Sequence, residues 1–182
     1  MSTIKTNAIT TVAGKPILNS TGSIVQVVNT IKSNRFSTSA TSMTDITGLS
    51  ATITPTSSSS KIFIMVFMGA AGSTQSNLDH GQLHDITRNG GACDIRGDAE
   101  GSRMRAAMKG VGWQYNADHM PGGICISGVD SPGSTSAQTY QVRVMNQSPF
   151  SFILNGTANN NDTGALYHAR TCSTITLMEI TG

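Results

Sequence analysis

The chain has 182 residues, a net charge of +2, 19 glycines and only 12% charged side chains, about half the charge of an ordinary soluble domain. Its basic residues are few and interleaved with acids, which excludes a phosphate-tracking surface and, with it, nucleic acid as a partner. The longest apolar run, Ile62 to Met68, falls far short of the roughly 20 residues of a membrane-spanning helix, so no membrane insertion is expected.

Taken in order, residues 1–20 show no sustained periodicity and contain the turn signal Gly14-Lys15-Pro16. They lack the continuous apolar core of a secretory signal. An extended arm over residues 1–22 is expected, its apolar side chains being Ile4, Ile9, Val12, Pro16, Ile17 and Leu18. Residues 23–182 are then one β-sandwich domain, a size that buries roughly 70% of the unfolded surface. Ile24 to Ile31 is the first strand, followed by a polar connection over Asn34 to Ser42. Leu49 to Thr54 alternates with period two, Pro55 closes that strand, and Ser57 to Ser60 turn the chain back into Lys61 to Met68, which reads as a central hairpin. In Lys61 to Met68 both parities are apolar. Ile62, Ile64, Val66 and Met68 share one face and Phe63, Met65 and Phe67 the other.

Gly69 to Asn77, small and polar, reads as a loop at one end of the sandwich. Weaker strands follow at Gln82 to Thr87, Ala92 to Arg96 and Arg103 to Val111, with a tight turn at Asn89-Gly90, where both residues tolerate positive φ. Gly122 to Val129 and Gln138 to Met145 are clearer. Tyr140, Val142 and Val144 oppose Gln141 and Arg143, as in a half-buried antiparallel strand. Ser151 to Leu154 and Ser173 to Ile180 complete the set. No stretch keeps a helical apolar stripe, so the fold class is all-β, an antiparallel sandwich of jelly-roll type.

Catalytic signatures are missing: there is no Walker A loop, no Gly-x-Ser-x-Gly elbow, no His-Glu-x-x-His and no Cys-x-x-Cys. No enzyme, cofactor or metal is expected. Asp94, Asp98 and Glu100 alternate with Arg96, Arg103 and Arg105, which points to ion pairing around a turn; the competing reading is the acid pair of a glycan-cleaving spike. Asp79, His80, His84 and Asp85 offer metal ligands, but strand residues four apart lie about 13 Å apart, too far for one ion. Cys93, Cys125 and Cys172 are odd in number and widely spaced, which suggests buried, reduced thiols. Trp113 and Tyr115, close together in a Gly-rich stretch, are the candidate receptor contact.

Several pieces, in this order, resemble the small structural proteins of marine tailed-phage virions. They are Ala13 to Leu18, Thr21 to Val27, Thr44 to Leu49, Thr54-Pro55 through Lys61-Ile62, Gly97 to Arg103, Asp130 to Pro132 and Thr176 to Glu179. The resemblance implies a tail fibre-like, knob or head-decoration protein, assembled in the host cytoplasm and carried on the virion. The arm would attach to a tail, portal-vertex or capsid protein. The sandwich would project outward and meet a host-surface glycan or protein. A capsid decoration or cement protein is the alternative, and a soluble lectin-like trimer a further one. The resemblance also favours three copies. Phe63, Met65 and Phe67, together with Met178 and Ile180 opposite Ile175 and Leu177, are the expected homotrimer interface, because a lone two-sheet sandwich covers only one face of each strand.

Overall fold

Period-two runs rich in Ile, Val, Thr and aromatic residues become strands wherever one face of the run can be buried against another sheet. The computed structural model describes residues 21–74, 81–111, 122–147 and 150–182. In chain order the strands are β1 (Ile24–Lys32), β2 (Phe36–Thr38), β3 (Thr44–Ile53), β4 (Lys61–Ser73), β5 (Gly81–Arg88) and β6 (Gly91–Ala92). They continue with β7 (Met108–Val111), β8 (Gly122–Asp130), β9 (Gln138–Asn146), β10 (Phe152–Leu154) and β11 (Ser173–Ile180). Among the described residues the only helical element is a short 3-10 turn, Leu166–His168, and no helix is long and apolar enough to cross a membrane.

All pairings are antiparallel. In one sheet β1, β11, β4 and β8 lie side by side; β10 takes over from β11 along the end of β4 at Ala71 to Ser73 and carries β2 on its other edge. The second sheet runs β3, β9, β5, with β6 and β7 sharing the far edge of β5. β3 and β4 therefore lie in different sheets. The expected central hairpin is corrected: the polar segment 54–60 is a crossover between sheets. Glu179 of β11 holds that crossover, its Oε1 accepting from the Thr56 backbone N–H (2.7 Å), the Thr56 hydroxyl (2.6 Å) and the Ser60 hydroxyl (2.8 Å). Burial works to raise its pKa, but these hydrogen bonds outweigh it and hold the carboxyl below its ordinary value.

Side chains from both sheets meet in one core. Ile62, Ile64, Val66 and Met68 of β4 and Ile175 and Leu177 of β11 face Ile46, Leu49 and Ile53 of β3 and Tyr140, Val142 and Val144 of β9. The face assignments expected for β4, β9 and β11 hold. At the side of the sandwich between β8 and β6, Ile95 fills the gap over Gly128, where a Cβ would stand 2.8 Å from Ile95 Cγ1.

Other expectations change. Residues 69–73 continue β4, not a loop, because their small side chains let the 171–172 backbone pass close to Gly69, with Thr171 Cβ 3.1 Å from a Cβ built there. The connection over 34–42 contains β2. The strands at 92–96 and 103–111 shrink to Gly91–Ala92 and Met108–Val111, the intervening segment being an irregular excursion. The Asn89-Gly90 turn forms as expected, with φ of 49° and 80° between the paired residues Arg88 and Gly91. All three cysteines are free, but only Cys93 is buried; Cys125 and Cys172 are exposed, since they sit on outward-facing or loop positions.

Candidate functional site: two unlike outer faces

Register aligns the outward side chains of the first sheet into rows. Val27, Met178, Phe63 and Val129 form one row across β1, β11, β4 and β8; Asn29, Thr176, Met65 and Ser127 form the next; Ile31, Thr174, Phe67 and Cys125 the third. Ile180 pairs with Ile24 and Lys61 at the rim. Ile31, Val27, Phe67 and Met65 are 64%, 58%, 46% and 36% exposed. Scattered exposed apolar residues need no explanation, whereas here they are aligned in rows on one face. Phe63, Met65, Phe67, Met178 and Ile180 are thus brought together on a single face. The sequence reading missed Val27, Ile31 and Val129. In β1 the parity Val25, Val27, Asn29, Ile31 was a signal for them, but only the β1–β11 register places it beside Met178.

The outer face of the second sheet is the opposite in character. Asp45 of β3, Arg143 of β9 and Asp85 of β5 stand opposite one another across adjacent strands. Arg143 Nε lies 2.9 Å from Asp45 Oδ1. Asp85 is buried beneath the excursion after β6, whose Arg96 grips both its oxygens, with Nε to Oδ1 at 3.0 Å. The hydrogen bond to Asp85, more than burial opposes, raises the Arg96 pKa. Thr52 and Thr139 hydroxyls bond at 2.8 Å on the same face. A shallow, open concavity of about 570 Å³ elsewhere lies along the 160–170 loop; one of about 450 Å³ lies on this charged face between Asp45, Asn89 and Arg143.

Inside the sandwich, buried Asp130 at the end of β8 ties the sheets together. Its Oδ2 accepts from Arg88 Nη1 (2.6 Å) and the Tyr140 hydroxyl (2.7 Å), and its Oδ1 from the Asp94 backbone N–H (2.7 Å). Burial disfavours the Arg88 charge, but Asp130 outweighs it and raises the Arg88 pKa; burial, then Asp130, raises that of Tyr140. The acidic cluster is accordingly split. Asp94 accepts from the Ser131 backbone (3.0 Å), Glu100 pairs with exposed Arg103, and Arg105 donates to the Gly97 carbonyl (2.7 Å). Arg96 pairs outside the cluster, which corrects the expected pairing within it.

His84 and Asp85 point to opposite faces of β5. His84 is buried against Phe152, centroids 5.5 Å apart, and neither of its ring nitrogens has a hydrogen-bond partner; Gln82 Nε2 and Asn146 Oδ1 are likewise unpaired. Among the described residues no three ligand-type side chains gather for a metal. Burial lowers the His84 pKa to about 4. The unfolded chain therefore binds a proton near pH 6.5 that the folded chain refuses, so His84 leaves stability intact above about 6.5 and erodes it as pH falls toward 4, by about 3 kcal/mol in all. Chemical denaturation as a function of pH should show this slope, and His84→Leu should remove it while leaving the Glu179 contribution, which acts at lower pH.

Asp79 and His80, the candidate receptor contacts Trp113 and Tyr115, and the arm residues Ile4, Ile9, Val12, Pro16, Ile17 and Leu18 lie outside the described residues. No protein-family model and no curated protein matches this chain.

Proposed function

We propose that the chain is a structural protein of a phage virion, of tail fibre or knob type. In this reading residues 1–22 attach it to another virion component, and the sandwich projects as a homotrimer closed through the apolar face of the first sheet. The observation that carries the proposal is the contrast between the two outer faces: one carries the Asp45–Arg143 ion pair and the Thr52 and Thr139 hydroxyls, with Asp85 covered by Arg96, and the other presents Val27, Ile31, Phe63, Met65, Phe67, Val129, Met178 and Ile180. Lys61 at the rim is the only charged side chain in its paired rows. Such a surface is best complemented by an equally apolar one, and a second copy of this chain supplies it.

The pairing of β1, β11, β4 and β8 in one sheet and of β3, β9, β5 and β7 in the other supports a jelly-roll reading, an architecture used by viral capsid and lectin domains. Fold alone does not give function, so it supports the reading without carrying it. The number three rests on the resemblance to fibre and knob proteins, and the virion location on the same resemblance.

The test is a truncation. Removing residues 1–20 should leave a cooperative melting transition and the same oligomer, since β1 begins at Ile24 and its pairing to β11 is complete without them. The truncated protein should fail to enter particles of the phage that encodes it, as read by mass spectrometry of purified virions. Full-length protein found only in the soluble fraction of a lysate, and never in particles, would overturn the virion assignment.

A further inference from the structure

Two arginines meet beside Gly156, past the end of β1, and neither holds a carboxylate. Arg35 donates through Nε to the Thr157 carbonyl (3.2 Å) and through Nη2 to that of Ala158 (3.4 Å). Arg170 donates to Asn160 Oδ1. Both guanidinium side chains pack on Gly156: a Cβ there would lie 2.8 Å from Arg170 Nη1 and 3.4 Å from Arg35 Cδ.

Like charges held this close repel, and Arg170 lowers the Arg35 pKa after burial has done so. Elsewhere the chain pairs its arginines: Arg88, Arg96, Arg103 and Arg143 each hold a carboxylate. Arg105 does not, but it stands alone on a carbonyl. Arg35 and Arg170 are the unpaired two that face one another, and each keeps N–H donors to spare, since a guanidinium has five.

Arg170 also lines the open concavity of about 570 Å³, a volume within the range of small-ligand sites. Its other polar lining is Asn160, Asn161, Thr163, His168 and one acid, Asp162, which forms no ion pair with either arginine. Amides, a hydroxyl and an imidazole are the groups that hydrogen-bond sugar hydroxyls. A guanidinium takes a planar carboxylate in fork geometry. Asp162 on the rim penalises a dianion more than a monoanion.

We propose that this loop is a binding site for a carboxylated saccharide of the uronic acid class, with the carboxylate at Arg170, which lines the concavity, and the ring hydroxyls along Asn160, Asn161 and Thr163. Arg35, beside Arg170 on Gly156 but outside the lining, adds positive charge behind it. The site holds whether or not the chain rides on a virion.

Isothermal titration of the intact protein with tetragalacturonate at low ionic strength tests it, with neutral maltotetraose and inorganic phosphate as comparators. Tetragalacturonate should bind, maltotetraose and phosphate at least about tenfold more weakly. Arg170→Gln, an exposed position, should weaken tetragalacturonate by about tenfold or more with the melting temperature unchanged, Arg170→Lys should retain part of the affinity, and Asp162→Asn should tighten it. No binding of tetragalacturonate, equal binding of maltotetraose or phosphate, or equal affinity in Arg170→Gln would each overturn the assignment.

Discussion

Asp130→Ala is expected to destabilise the fold by about 3 to 5 kcal/mol, because it removes the acceptor shared by a cation, a buried phenol and a backbone amide. The Tyr140 hydroxyl then has no acceptor in the core, and the Arg88 guanidinium keeps only its path to solvent, its side chain being 24% exposed. That path places Arg88 at the lower end of the range. For a chain of this size the loss corresponds to a drop in melting temperature of roughly 10 °C. Tyr140→Phe removes one donor and leaves the other two, so it should cost only about 1 to 2 kcal/mol. Denaturant titration separates the two variants. Equal losses would mean that Asp130 acts through Tyr140 alone and does not fasten β8 to β5.

Neither that clamp nor the buried Asp85 could be read from the sequence. Asp130 meets Arg88 across 42 positions, and Asp85 meets an arginine that seemed committed to a local acidic cluster. Periodicity did locate the faces of β4, β9 and β11, because a side-chain period of two survives whatever the neighbouring strand is. It could not choose the neighbour. Residues 49–54 and 61–68 read as a hairpin from their spacing, yet β3 pairs with β9, and Thr56 and Ser60 between them donate to Glu179, more than a hundred residues away. Gly69 to Ser73 looked like a loop because small residues mark turns, but here they let a strand run beneath a closely approaching backbone. For the apolar outer face of the first sheet, the β4 and β11 contributions were legible from two-sided apolarity. Those of Val27, Ile31 and Val129 needed the register.

Phe67→Asp is expected to give a folded, soluble monomer. Phe67 lies in the middle of the outer face, half exposed in the single chain, so an aspartate there is hydrated in the monomer and costs the fold little. In a closed trimer each copy would bury that charge without a partner, a penalty of several kcal/mol per site that removes most of the gain from the apolar rows, whose side chains are each worth about 1 kcal/mol and must also offset the cost of association. Phe63→Asp should behave similarly. Thr52→Asp, on the polar face of the other sheet, should leave the oligomer intact. Ile64→Asp, one residue from Phe63 but turned into the core, should instead abolish folding. This pattern of three results distinguishes an interface from a merely apolar exterior.

Light scattering coupled to size exclusion, on the intact chain at micromolar concentration, bears most directly on the whole account. The expected result is a monodisperse species of three times the 19.0 kDa chain mass that Phe67→Asp converts to one. A stable, monodisperse monomer of the unaltered protein would contradict both the trimer and the explanation of its apolar face.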